Sequence, residues 1–279
     1  MALAEAMQSR AVGRRWNAAL WAYAAGFFCF LYLPLGVLVV LSFNDSVVVS
    51  LPFEGFTVKW YKVVFTTPQL FQALLNSLAL GIVVACIATA LALTLGLGFR
   101  RDFRLKPLLL QAILVPIIIP GIIGGIVLLI SFGYLGVSFN LATTVLVAHV
   151  NWALPFAFLT LYPRLHRFDR SIEEAAMDLG ARPLTVFRRI VLPLIKPGIL
   201  ATLLFSFTLS FDEFVRTVFV IGTERTIPVH LWSIIIENLA PYLPAVGVII
   251  MAISAVASFF GFVLSGRSER TQKRNARAA

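Results

Sequence analysis

The sequence predicts an all-α integral membrane protein with six transmembrane helices, and three observations carry that expectation. Of the 279 residues, 59% are hydrophobic and 13% charged, against roughly 25% charged in an average soluble domain. Charged residues are missing over three long intervals: Arg15 to Asp45, Lys62 to Arg100, and Lys106 to Arg164. An α-helix crosses ~30 Å of hydrocarbon with roughly 20 apolar residues, and it satisfies its own backbone hydrogen bonds where water cannot.

Six apolar runs meet that length, at 18–41, 70–99, 107–130, 141–162, 197–221 and 245–265. The first is longer than a signal-peptide core and is expected to be retained as a span. Together the runs make a single transmembrane domain over 1–279, with a charged loop at 163–196. In the third run, Pro116 and Pro120 with Gly121-x-x-x-Gly125 predict a kink and a close helix contact. Cys29 and Cys86 fall inside runs and read as packing residues, with no metal or redox spacing. In the fourth run, His149, Asn151 and Trp152 are candidates either for a lined pathway or for helix–helix hydrogen bonds. Residues 229–239 read as a short helix outside the fifth span.

The net charge is +10, and its placement sets an orientation. The N-terminal segment, the loop 100–106, the loop 163–196 and the tail after Gly266 hold 19 of the 23 Lys and Arg. Lys59, Lys62 and Arg225 lie on the other side, and Arg216 falls within the fifth run. The positive-inside bias therefore puts both termini and both basic loops in the cytoplasm. The tail reads as an anchor at anionic headgroups of the lipid bilayer, and no nucleic-acid partner is expected.

Catalytic signatures are lacking. The sequence has no G-x-x-x-x-G-K-[ST] phosphate loop, no H-E-x-x-H and no G-x-S-x-G, and His149, His166 and His230 lie far apart. The chain is not expected to be an enzyme or to hold a cofactor or metal. Transporters, channels and scaffolds remain.

The loop contains "SIEEAAMDLGARPLTVFRRIVLPLIKP" at 171–197. Ser171 and Glu174 form a capping-box pattern for a short helix, and Gly180 suits the left-handed residue just past its end. Pro183 suits the first turn of a second short helix, which Leu192-Pro193 should end or kink. Small side chains at Ala175 and Ala176 would let a partner approach closely. The alternative is a helix that merely lies at the headgroups.

Glu174-Ala175-Ala176, three residues, Gly180, nine residues and then Ile190-Val191-Leu192-Pro193 resemble the EAA loop of ABC-importer permeases. That resemblance implies the type I permease fold and a cytoplasmic coupling helix docked on a separate ATPase subunit. It assigns the coupling role to Glu173, Glu174, Ala175, Ala176, Asp178, Gly180, Ala181, Ile190, Leu192 and Pro193. Ser42-Phe43-Asn44 followed by Trp60-Tyr61, "FTLSFDEFV" and "IPVHLWS" resemble the polyamine-importer branch, in particular the second permease subunit of spermidine/putrescine systems. The implied partners are a second, related permease, an ATPase dimer that binds ATP and magnesium, and a periplasmic substrate-binding protein. The implied location is the bacterial inner membrane.

Asp212, Glu213 and Arg216 lie about fifteen residues into the fifth run, roughly 22 Å along a helix. An ionised group at mid-membrane costs roughly 2.5–3.5 kcal/mol, so it should face a cavity or a partner. One reading is an intrahelical pair, since Arg216 is i+4 from Asp212 and i+3 from Glu213. The other is a cation site, with two carboxylates against one guanidinium beside Phe207, Phe211 and Phe214. A substrate pathway would then include Asp212, Glu213, Arg216, Phe211, Phe214 and Trp152. The adjacent acids match the polyamine branch, whereas Arg216, and Pro244-Ala245 after Pro241, depart from it. Arg216 makes a zwitterionic or carboxylate-bearing solute the alternative cargo. An ion-coupled secondary transporter or channel is the alternative class, and it leaves the charged loop unexplained.

Overall fold

The computed structural model describes residues 2–166, 170–237 and 239–275. Side chains are described for these except at 2–16, 18, 262 and 264–275, so the basic side chains of the N-terminal segment and the tail lie outside the described residues. In chain order the helices are α1 (Ala2–Ser42), α2 (Lys59–Thr66), α3 (Pro68–Gly98), α4 (Lys106–Ile118) and α5 (Gly121–Tyr134). A π turn at Leu141–Val145 leads into α6 (Leu146–His166), followed by α7 (Ser171–Asp178) and α8 (Pro183–Val186). A second π turn, Phe187–Val191, joins α8 to α9 (Leu192–Phe211), and α10 (Thr217–Val220), α11 (Ile227–Glu237) and α12 (Leu243–Asn275) complete the chain. Among the described residues the β-structure is one isolated bridge, Asn44 with Phe56.

Among the described residues, five continuous segments are long and apolar enough to cross a membrane: Ala19–Ser42, Pro68–Gly98, Leu141–His166, Pro183–Phe211 and Leu243–Gly261. The expected third span is not one rod. It is the pair α4 and α5, bent by 105°. Pro120 withholds an amide and drives Ile119 to extended backbone (φ −73°, ψ 123°), so the chain turns there rather than kinking gently.

The expected fifth span also breaks. Helix α9 stops at Phe211, and 212–216 are non-helical before α10. A continued helix would set two adjacent carboxylates among apolar neighbours. Breaking it frees the Arg216 amide to donate to the Glu213 carboxylate.

Cα packing divides the chain into two compact units. The first comprises Met1–Val64 and Leu239–Ile249. Its loop is organised by the residues that prompted the polyamine-branch resemblance. The Phe43 ring stacks on Phe56 at 5.1 Å and meets Tyr61 at 5.2 Å, while Ser42 Oγ and the Tyr61 hydroxyl lie 2.7 Å apart. Asn44 Oδ1 accepts from the Glu54 amide at 2.8 Å, Asn44 Nδ2 donates to the Ser50 carbonyl, and Trp60 Nε1 donates to the Asn44 carbonyl at 2.8 Å. Lys59 pairs with Asp45. These five signature residues hold one loop shape.

The second unit comprises Phe65–Asn238 and Ile250–Ala279. Its centre is the mutual packing of α3, α6 and α9. A buried stripe of small residues on α3 (Gly81, Ala85, Ala88, Ala92, Gly96) lets the helices approach closely. At Gly96 a Cβ would come within 2.6 Å of Leu165 Cδ1, so a larger residue would force the buried Leu165 side chain to shift. Phe158, Leu161 and Leu165 of α6 fill the core with Val191 and Ile195. Cys29 and Cys86 do not pack inside the chain; both lie on exposed faces of α1 and α3.

Candidate transport and coupling sites

Helix α7 is built by its ends. Its N-terminal boundary falls one residue before the expected one: Arg170 is the N-cap, and its carbonyl accepts from the Glu173 and Glu174 amides at 2.9 and 3.0 Å. Ser171 is thus the first helical residue, and the expected capping box does not form because the Glu174 amide is already taken. The C-terminal end follows expectation. Gly180 has φ +85°, its amide donates to Met177 O at 2.8 Å, and the Ala181 amide donates to Ala176 O at 3.1 Å. This paired arrangement ends the helix through a left-handed glycine.

Pro183 opens α8 as expected, but α8 is not a separate helix ended at Leu192-Pro193. It runs through the π turn into α9, and the Leu192 amide donates five residues back, to Phe187 O. Pro193 has no amide to give, and the wider turn accommodates that gap without stopping the helix.

The hairpin thus formed presents Ile172, Glu174, Ala175, Met177, Asp178 and Leu179 on its exposed side, with Leu179 90% exposed. Ala176, Ala181, Ile190 and Leu192 are half-buried, and Pro193 is exposed. Glu173 faces the other way. Its carboxylate accepts from Arg100 Nη2 at 2.5 Å, with the two side chains 21% and 9% exposed. This ion pair ties α7 to the loop that follows α3, a contact the sequence did not reveal.

The break at 212–216 separates the charged residues that one helix was expected to carry together. Glu213 is buried, and its carboxylate accepts from the Arg216 amide at 2.8 Å and from Arg216 Nη1 at 3.1 Å. Arg216 is 5% exposed, and its guanidinium lies 3.8 Å from the Trp152 ring centroid. The glycines of α5 also approach it: a Cβ at Gly121 or Gly124 would lie 3.7 Å from guanidinium nitrogens. Of the two anticipated i+3 and i+4 partners, Arg216 takes Glu213.

Asp212 lies apart. It is exposed, and both of its oxygens accept from Ser254 Oγ of α12 at 3.1 Å. Phe211 is buried against Phe207, while Phe214 is half-buried against Trp232 of α11. His149 is fully buried and makes the helix–helix bonds that were one of its two readings, to Ser210 at 2.8 Å and Thr217 at 2.7 Å. Asn151 is exposed.

A helical bundle with two broken spans, a buried ion pair at one break and an exposed helical hairpin is the architecture of a multi-pass membrane transport component. The chain belongs to the family described as the binding-protein-dependent transport system inner membrane component, which matches residues 81–270. It is 35% identical over 236 residues to the spermidine/putrescine transport system permease protein PotC of Escherichia coli K12, covering 84% of this chain and 89% of that one. With the putrescine transport system permease protein PotI of the same strain it shares 34% identity over 263 residues, covering 90% and 92%. A crystal structure of a bacterial ABC transporter involved in the import of the acidic polysaccharide alginate has the same fold. It superposes with TM-score 0.69 at 17% identity, over 94% of this chain and 98% of that one. A bacterial alginate ABC transporter in complex with an alginate pentasaccharide-bound periplasmic protein gives 0.68 at 16% identity over 95% and 98%.

Proposed function

We propose that this chain is the permease subunit of a bacterial inner-membrane ABC importer for polyamines or related cationic small molecules. It forms half of the translocation pathway beside a second, related permease. A periplasmic binding protein delivers the cargo, and a separate ATPase dimer binding ATP and magnesium drives the cycle. Both termini and the α7–α8 hairpin face the cytoplasm, where α7 docks on the ATPase.

The observation that carries the energy-coupling reading is the exposed α7, shaped at both ends and fastened by Glu173–Arg100, with Glu174, Ala175 and Leu179 turned outward. An ion-coupled transporter or channel has no need of such a hairpin. For the cargo, the distribution of charge favours a cation. Glu213 neutralises Arg216 inside the protein, and Asp212 presents a carboxylate of its own at an exposed position. Arg216, held by Glu213 and Trp152, is not placed to receive a carboxylate.

The test is reconstitution of the full complex in liposomes, with putrescine and spermidine supplied on the binding protein. Polyamine-stimulated ATP hydrolysis with ATP-dependent uptake is expected. Uptake that persists without the ATPase subunit would overturn the importer reading, and stimulation by an amino acid rather than a polyamine would overturn the cargo.

A further inference from the structure

The bond pattern around His149 reaches both sides of the break at 212–216. The imidazole sits on α6 between Ser210, in the last turn of α9, and Thr217, the first residue of α10. Thr217 Oγ also donates to the Glu213 carbonyl at 2.8 Å. With its one proton committed there, Thr217 can only accept from the ring, so His149 Nε2 carries the hydrogen. Nδ1 of the neutral ring then accepts from the Ser210 hydroxyl. The result is a directed chain: Ser210 O–H to Nδ1, Nε2–H to Thr217, Thr217 O–H to the Glu213 carbonyl.

One turn further along α6, Trp152 takes the Arg216 guanidinium, which itself holds the Glu213 carboxylate. Residues 149 and 152 project from the same helix face, so α6 grips the break through two side chains. A helix end in an apolar interior leaves amides and carbonyls without partners, and α10 is only a four-residue helix with little stability of its own. The polar chain supplies what the backbone lacks.

We infer that His149 is a positioning residue for the transport reaction. It fixes the end of α9 against the start of α10, and thereby sets where Asp212 stands to meet the cargo. The role assigned to Asp212 rests on the importer reading above, whereas the latch itself does not. Loss of the latch leaves the α7–α8 hairpin and the ATPase subunits untouched. Its signature is therefore a change in apparent affinity for cargo with ATP hydrolysis in the absence of cargo unchanged.

The experiment uses the complete complex with His149→Leu, His149→Gln, Ser210→Ala and Thr217→Val. It measures putrescine uptake against concentration, basal ATP hydrolysis, and the line shape of a spin label at Val218→Cys after Cys29→Ala and Cys86→Ala. Expected are a rise in KM on the order of tenfold for His149→Leu and Thr217→Val, unchanged basal hydrolysis, and a mobilised spin label. His149→Gln, which can still donate to Thr217, should recover most of the loss. If His149→Leu fails to assemble, Thr217→Val and Ser210→Ala carry the test. Unchanged KM and line shape in the assembled variants would overturn the latch, as would a His149→Gln variant no better than His149→Leu. If putrescine proves not to be the cargo, uptake is silent in the unmodified complex too, and the spin label alone decides.

Discussion

The guanidinium carbon of Arg216 lies 3.8 Å from the centroid of the Trp152 ring, while its Nη1 donates to Glu213 at 3.1 Å. A buried cation is thus satisfied by one carboxylate and one aromatic face contributed by different elements. A desolvated cation–π contact is worth about 2 kcal/mol. Trp152→Leu should therefore lower the stability of the purified complex by about that amount, and Trp152→Phe by less. Thermal unfolding of the two variants checks the order.

The two adjacent acids should separate by phenotype. Glu213→Gln strands the Arg216 charge in the interior, and removing one member of a buried pair costs about 3–5 kcal/mol. Sharply reduced assembly is expected, with recovery in the double variant Glu213→Gln, Arg216→Gln. Asp212→Asn keeps a group able to bond Ser254 and should assemble normally, yet lose most polyamine-stimulated hydrolysis. Size-exclusion profiles beside ATPase assays distinguish the two, and equal assembly defects would refute the separation.

Glu173 and Glu174, though neighbours, should also differ. Glu173→Gln removes the charge that holds Arg100, a contact worth about 1.5–3 kcal/mol, so α7 should loosen while still meeting the ATPase. Uptake per ATP hydrolysed should fall. Glu174→Lys reverses a charge on the exposed face and should abolish uptake without altering how the binding protein holds its cargo. Co-purification of the ATPase with each variant, set against uptake, reads the difference.

At Gly180 the backbone has φ +85°, where a side chain costs about 1–2 kcal/mol. Gly180→Val should fray the end of α7 and reduce stimulated hydrolysis several-fold, although open space surrounds the position. Full activity in that variant would mean that the helix end carries no weight in docking.

Hydropathy made the spans legible, because a charge-free run of this length is too apolar and too long for the surface of a soluble domain. The ends of α3, and of the segment beginning at Leu141, lie within a few residues of where those runs end. It could not locate the breaks, since a window average passes smoothly over Ile119-Pro120 and over 212–216. Pro120 did signal a bend, but its size depends on how α5 packs against Val215 and Phe219, which no local pattern encodes. The i+3 spacing correctly allowed Glu213 to reach Arg216. On an unbroken helix Asp212 would have stood on the same footing, and the break at 212 is what sets it apart. His149 left only the trace of a lone imidazole in an apolar run. Pairing it with Ser210 and Thr217 requires knowing how α6 is rotated against α9 and α10.

The π turn at Phe187–Val191 has a consequence for how this chain can evolve. Such a turn holds one residue more than an α-helix would need, and each residue of an α-helix advances the heading by about 100°. The wide turn already absorbs that extra residue, so deleting one of the five would let the segment close to an ordinary α-turn with Glu174 and Ala175 near their present heading. One further residue has no such slack and would swing everything before it about the axis of α9 by roughly that angle. The stretch should therefore tolerate shortening by one residue and resist lengthening, while α3, α6 and α9 go on packing as before.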